Sequence, residues 1–266
     1  MTSTNFGPSW VGLLWSAVPL VVAWSLLAWF RLGQTTAMAV AIARLVAQMM
    51  LLAVVLGGIV AADSPPLVLG VALIMLATAA HAVGARRPSP HGRWLLRVEA
   101  FGSLLIGAAI VMAVATRLSL HVTPWYDPRT VLPMLGMVLG NTVSAISLAV
   151  ERFDADLRTD RDLIELRLSL GATARQAALP SLRAAVAAAL SPILNNISLA
   201  GIVAIPGMTT GQLLAGADVG QAIRYQILLY LGIAATVTFG VLILLAVRFR
   251  HAFTADHQLR HSRDDR

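Results

Sequence analysis

The stretch from Tyr225 to Val247 reads YQILLYLGIAATVTFGVLILLAV and contains no charged residue. An α-helix needs about 20 predominantly apolar residues to cross the hydrocarbon core of a bilayer, so this stretch is long enough to span a membrane. Similar apolar runs recur along the chain, which is 58% hydrophobic and only 12% charged. The sequence therefore predicts an all-α, polytopic integral membrane protein.

Seven apolar runs are long enough to qualify as transmembrane helices. They cover residues 10–30, 37–60, 66–83, 100–116, 131–150, 184–205 and 225–247. We expect residues 1–250 to form one transmembrane domain whose long polar connection is segment 151–183. The charged tail, residues 251–266, is expected to be disordered.

The arginines give the predicted bundle a direction. With the N-terminus outside, sixteen of them lie in the segments that face the cytoplasm, three in outer segments, and Arg44 within a span. Positively charged residues concentrate on the cytoplasmic side of membrane proteins. The sequence thus predicts an N-out, C-in topology in a bacterial inner membrane, and the basic character needs no nucleic-acid partner to explain it.

Two residue types are missing, and each absence excludes a class of chemistry. The chain has no lysine, and the phosphate-binding loop of ATPases needs one. It has no cysteine, which removes disulfides and thiolate metal sites. We therefore expect no enzyme activity and no cofactor in this chain, and we identify no metal site with confidence.

Segment 151–183 combines charges of both signs with a helical pattern of leucines and alanines. Leu163, Leu166 and Leu170 recur at helical spacing before Gly171, which is expected to end one helix. Thr173 is expected to cap the next. One interpretation is a surface helix lying at the lipid headgroups, and the other is a docking element for a soluble partner.

The run Glu-Leu-Arg-Leu-Ser-Leu-Gly-Ala-Thr, residues 165–173, resembles the "EAA" loop by which ABC permeases dock on their ATPase subunit, with Leu166 and Arg167 replacing its two alanines. Other blocks follow in family order: 136–141, 161–165, 192–195, 206–212, 215–218 and 224–227. Together they closely resemble the FetB-type permease family, which is linked to bacterial iron export and related to plant aluminium-tolerance proteins.

The resemblance implies a transport subunit that exports iron or another metal species and is powered by separate ATPase subunits. Two ATPase copies, which would bind ATP and magnesium, are expected to dock on segment 151–183 of a permease homodimer. The residues implied in ATPase coupling are Glu165, Arg167, Gly171, Ala172, Thr173 and Arg175.

Several polar residues in or near the spans are candidates for a translocation path or gate. Arg44 is costly in a membrane and has Gln48 one turn later; they either line a path or clamp span two to a neighbour or headgroup. Asn141 and Asn195 either line a pore or hold the bundle together by hydrogen bonds, beside the close-packing repeat of Gly136, Gly140 and Ser144.

Residues 206–220 are rich in glycine, which predicts an interrupted, re-entrant loop that serves either as an outer gate or as a simple hairpin. The gate candidates in and after this loop are Met208, Thr210, Gln212, Tyr225 and Gln226. The methionines in the spans are interpreted as core filler.

Two other classes of function stand as alternatives. A self-sufficient secondary carrier or channel predicts carboxylates in mid-span, whereas Glu99, Asp127 and Glu151 lie near span ends. A membrane-embedded enzyme predicts a clustered nucleophile, base or metal set, and a non-transporting scaffold predicts none of these features.

Overall fold

Turn residues and apolar periodicity divide the chain into nine α-helices in the computed structural model, which describes residues 9–31, 33–85, 90–254 and 258–259. Their bounds are α1 Trp10–Trp29, α2 Thr35–Ala62, α3 Pro65–Gly84, α4 Pro90–Ala113, α5 Pro128–Thr159, α6 Arg161–Ser169, α7 Ala174–Leu199, α8 Gly207–Leu214 and α9 Val219–Ala252. A π-helical turn, Val114–Ser119, continues α4.

Seven of these helices are long and apolar enough to cross a membrane, which confirms the predicted fold class. They are α1, α2, α3, α4 with its π-helical turn, α5, α7 and α9. The two remaining helices, α6 and α8, have only 9 and 8 residues and lie in the connections before and after α7.

The chain divides into two compact units, residues 1–63 and 64–266. Within the first, α1 begins at Ser9, whose side chain accepts a hydrogen bond from the Gly12 amide. The indole of Trp24 donates to the carbonyl of Thr35 over 2.9 Å and so ties α1 to the start of α2.

In the second unit, α3, α4, α5, α7 and α9 pack around one apolar core, and we call these five helices the bundle. Leu104, Ile146 and Val237 are fully or almost fully buried at its centre. The helices approach closely where a glycine removes the side chain, as at Gly240, where an added Cβ would lie 2.9 Å from Cγ2 of Thr142.

The sixth span differs from its predicted extent because α7 ends at Leu199, not at residue 205. Gly201 has a φ of +80°, outside the helical region, and Pro206 stands just before α8. A left-handed glycine and a proline each stop a helix, although the intervening residues are apolar.

The tail prediction needs correction at its beginning. Helix α9 continues to Ala252, and Phe253 is only 5% exposed. The amide of Thr254 donates to the carbonyl of Gln258 over 2.9 Å, and Leu259 packs against the same cluster as Phe253. Residues 255–257 and 260–266, on which the rest of the prediction falls, lie outside the described residues.

Candidate functional site

The α6–α7 connection forms a sharply bent element at one end of the bundle, and we call residues 161–183 the elbow. Gly171, with a φ of +90°, ends α6 in a left-handed conformation. Its amide donates to the carbonyl of Leu168, and the amide of Ala172 donates to that of Arg167, both over 3.0 Å. This is the Schellman arrangement, in which glycine is favoured because it has no Cβ.

The second arm of the elbow begins with a capping box. The amide of Gln176 donates to Oγ1 of Thr173 over 3.3 Å, and the amide of Thr173 donates to Oε1 of Gln176 over 2.9 Å. Two backbone N–H groups at the start of α7, which have no partner within the helix, thereby gain hydrogen-bond partners. The guanidinium of Arg167 then closes the elbow by donating from Nη1 to the carbonyl of Ala177 over 3.2 Å.

The elbow has one buried face and one exposed face. On the buried face, Ile164, Ala174, Ala177 and Ala178 form a small apolar cluster with Phe253. On the exposed face, the leucines at 163, 166 and 170 are 45%, 54% and 79% exposed. Apolar side chains exposed on a helix this rich in charge indicate a surface that another body covers.

The coupling residues predicted from the sequence therefore divide into two groups. Gly171, Thr173 and Arg167 set the shape of the elbow. Ala172 is half-buried beside them, and Arg175 is exposed. Glu165 is also exposed, and its Oε1 lies 2.9 Å from Nε of Arg161, one helical turn earlier.

A buried ion-pair network ties three bundle helices together at the elbow end. Nη2 of Arg248 lies 3.0 Å from Oδ1 of Asp154, and its Nη1 lies 3.6 Å from Oε2 of Glu99. Nδ1 of His251 lies 2.6 Å from Oε1 of Glu99. The Glu99 side chain is only 3% exposed, and a carboxyl group buried to that extent is costly unless it has polar partners such as these.

The sequence analysis did not find this network, since Arg248 counted only toward membrane orientation. A signal was present: Arg248 and His251 are three residues apart, hence on one face of α9, and Glu99 stands near the start of a predicted span. Nothing in the sequence pairs these positions, because Glu99 and His251 are 152 residues apart.

At the other end of the bundle, α8 folds back on the first turns of α9. Oγ1 of Thr209 donates to Oε1 of Gln226 over 3.2 Å. Met208 and Tyr225 pack on a cluster that contains Met134 and Leu229. Three of the predicted gate residues, Met208, Tyr225 and Gln226, are therefore brought to one place.

The other predicted residues of the loop remain on α8. Thr210 is exposed and donates to the carbonyl of Pro206, and Gln212 is half-buried. The predicted interruption of the helix is present, with Gly216 ending α8 at a φ of +86°. Asp218 then caps α9, its Oδ2 accepting from the amide of Gln221 over 2.9 Å.

The two asparagines that were candidates for a pore are placed differently. Nδ2 of Asn141 donates to the carbonyl of Met137 in its own helix over 2.8 Å, and Asn195 is exposed on α7. Among the described residues, no hydrogen bond from either side chain to another helix of this chain is present.

Arg44 and Gln48 both lie on α2, in the unit formed by residues 1–63, and both are exposed there. Within the described ranges, no group of three or more His, Cys, Asp or Glu side chains is placed to hold a metal ion. Of the methionines interpreted as core filler, Met134 and Met137 belong to or touch the apolar cluster near Tyr225. Met49 and Met50 on α2 are 56% and 49% exposed and fill no core within this chain.

Comparison with known proteins gives consistent matches. The profile of a family described as "Uncharacterised protein family (UPF0014)" matches residues 10–253. The UPF0014 membrane protein slr1647 of Synechocystis is 35% identical over 254 residues, covering 94% of this chain and 96% of that protein. No solved structure matches the chain.

Two further relatives match, and the name of the first states a function. The "Probable iron export permease protein FetB" of Escherichia coli is 32% identical over 162 residues, covering 61% of each chain. The UPF0014 membrane protein STAR2 of rice, Oryza sativa, is 33% identical over 198 residues, covering 74% of this chain and 67% of that protein.

Proposed function

The chain belongs to the UPF0014 family, and from this premise we propose that it is the membrane permease subunit of an ABC transporter. Two copies of a separate ATPase subunit dock on segment 151–183 of a permease homodimer in a bacterial inner membrane, with the elbow on the cytoplasmic side. ATP and magnesium bind in the partner, and closure of the ATPase pair switches the bundle between inward- and outward-facing states. The cargo is iron or another metal species moved outward.

The observation that carries the proposal is the exposed face of the elbow. Its leucines are exposed beside Asp162 and Glu165, which are exposed on the same helix. A helix lying at the headgroups separates its apolar face from its charged face, whereas mixed apolar and charged exposure suits a protein partner with a polar rim. The relative named as a probable iron export permease supports the class and the cargo.

The absence of a lysine-containing phosphate loop supports a separate source of energy. The homodimer is supported by polar and small side chains exposed at membrane depth, namely Gly140 and Ser144 on α5 and Ser191 and Asn195 on α7. Lipid cannot solvate an amide. We propose that a second copy of the chain covers these residues of α5 and α7 and that a water-filled path runs beside them.

The remaining path and gate residues keep their proposed roles. Met208, Thr210, Gln212, Tyr225 and Gln226 form the outer gate, where α8 packs on α9. Arg44 and Gln48 contribute polar groups to the path from α2.

The direct test is purification of the chain from its native membranes with an affinity tag, followed by an ATP hydrolysis assay. We expect an ATPase subunit to co-purify and to be lost in Leu166→Asp and Leu170→Asp, which place charge on the exposed apolar face. Val219→Asp, which places the same charge on an exposed apolar residue at the other end of the bundle, is the matched control and is expected to retain the partner. Absence of an ATPase from the wild-type preparation refutes the proposal.

Cargo and direction need a separate assay. Inverted membrane vesicles containing the complex are expected to accumulate radioactive iron when ATP is added outside, and vesicles with Leu170→Asp are expected not to. Failure to move iron while the ATPase remains bound and active removes iron as the cargo but leaves the permease role standing.

A further inference from the structure

Helix α9 connects the two ends of the bundle without interruption. It has 34 residues and no proline inside it, and at about 1.5 Å per residue it is about 50 Å long. Its first turns carry Tyr225 and Gln226, and its last turn lies at the elbow. A continuous helix of this length is the stiffest connection that a protein can make between two such sites.

At the elbow end, Phe253 closes the buried face. It is 5% exposed and packs with Ile164, Ala177 and Ala178, which come from both arms of the elbow. The ring of Phe249 lies 5.0 Å from that of Phe253 between centroids, and Phe249 also touches the main core. Apolar contact therefore runs from the elbow through two aromatic rings into the bundle.

About one turn before Phe253, the ion-pair network holds α9 against α4 and α5. Arg248 binds Asp154 of α5 and Glu99 of α4, and His251 binds Glu99 as well. These contacts hold the end of α9 to α4 and α5, so a displacement of the elbow acts on an anchored helix end rather than on a frayed terminus.

The elbow is also continuous with α7, but this route is less stiff. Helix α7 contains Pro180 and Pro192, and each proline removes a backbone hydrogen bond and kinks or loosens a helix. Helix α5, which leads into the elbow from the other side, contains Pro133 near its far end. Among these three helices, α9 is the one without an internal proline.

We propose that α9 is the transmission element of the transporter and that Phe253 is the positioning residue through which movement of the elbow reaches the α8–α9 contact. This inference rests on the proposed function, because the elbow moves only if an ATPase docks on it. In this proposal Phe253, at the start of the tail that the sequence predicted to be disordered, takes part in coupling the ATPase to the bundle.

The test uses the complex of the full chain with its ATPase subunit, and the absence of native cysteine makes site-specific spin labelling clean. Labels at Arg129→Cys and Ile223→Cys, both exposed, report the distance between the far ends of α5 and α9. In the wild-type complex, ATP with vanadate is expected to shift this distance. In Phe253→Ala the ATPase is expected to remain bound while the shift is lost.

Three further variants make the result specific. Phe253→Leu, which keeps an apolar side chain in the cluster, is expected to restore at least half of the shift. Phe239→Ala removes a 42% exposed ring from the same helix and is expected to leave the shift unchanged. Leu259→Ala weakens the same cluster from the tail and is expected to reduce the shift if Phe253→Ala does not yield folded protein.

Each outcome decides something different. An undiminished shift in Phe253→Ala, or in Leu259→Ala when that variant replaces it, overturns the transmission role. Equal loss in Phe253→Ala and Phe239→Ala also overturns it, because the effect is then general damage to α9. A wild-type complex that binds no ATPase refutes the proposed function itself, and a complex that binds it without any ATP-dependent shift refutes the switching mechanism.

Discussion

Replacing Arg248 by methionine removes the positive centre of the buried network and keeps most of the apolar stem. In the structure the Arg248 side chain is 15% exposed, and its partners Asp154 and Glu99 are 11% and 3% exposed. The substitution removes the cation that Asp154 and Glu99 share and leaves His251 beside Glu99. We expect Arg248→Met to destabilise the bundle.

The magnitude follows from the burial of the three groups. Removing one partner of a buried ion pair typically costs about 3–5 kcal/mol, because the other charge stays buried without compensation. Since Arg248 keeps some solvent contact and His251 remains beside Glu99, the lower end, about 3 kcal/mol, is expected. That corresponds to roughly a hundredfold shift in the unfolding equilibrium.

The assay is reversible unfolding in mixed micelles, in which the fraction of sodium dodecyl sulfate is raised and helicity is followed by circular dichroism. Arg250→Met is the matched control, since Arg250 is exposed two residues further along α9; an exposed charge contributes about 0–1 kcal/mol. In the double variant Arg248→Met with Asp154→Asn, we expect at least about 1 kcal/mol of recovery, because one of the two carboxylates that lost Arg248 as a partner no longer carries a charge.

A free energy of unfolding for Arg248→Met within about 1 kcal/mol of that for Arg250→Met would refute the reasoning. The reasoning would also be refuted if the double variant lost more stability than the two single variants lose together. Arg248 and Asp154 would then not be opposite charges in one buried pair. Either result would mean that water reaches the network or that these helices do not meet as described.

Three other predictions concern glycines. Gly240→Ala should be about 1–3 kcal/mol less stable than the control variant Gly102→Ala. The added Cβ at position 240 would lie 2.9 Å from the Thr142 side chain, whereas nothing lies within 4 Å of a Cβ added at position 102. The same micelle titration measures the stability of both variants. Gly171→Ala should destabilise the elbow by about 1–2 kcal/mol through its φ of +90°, and Gly171→Asn by less, in thermal melts of the purified chain. Gly140→Leu, in open space within this chain, should leave folding intact and lower the dimer fraction counted by photobleaching in nanodiscs. An unchanged dimer fraction would contradict the assignment of this face.

Several local features were predictable because their causes are local. The break at Gly171, the cap at Thr173 and the interruption within residues 206–220 follow from glycine, threonine and proline acting on their immediate neighbours. The end of α7 at Leu199 was missed by six residues because hydropathy does not register a left-handed glycine. The tail was misjudged since Phe253, one apolar residue among charges, has a partner surface that only the folded elbow supplies.

Hydropathy and turn chemistry depend on neighbouring residues alone. They were therefore sufficient to predict a helical membrane protein with seven candidate spans and a charged, bent connection after the fifth span. Tertiary structure decided which faces of the elbow are free, where Phe253 goes, and that Glu99, Asp154 and Arg248 form one network. These depend on contacts between positions up to 152 residues apart. In a sequence where all twenty Lys and Arg positions are arginine, Arg248 is distinguished from its neighbour Arg250 by the carboxylates that packing brings to it.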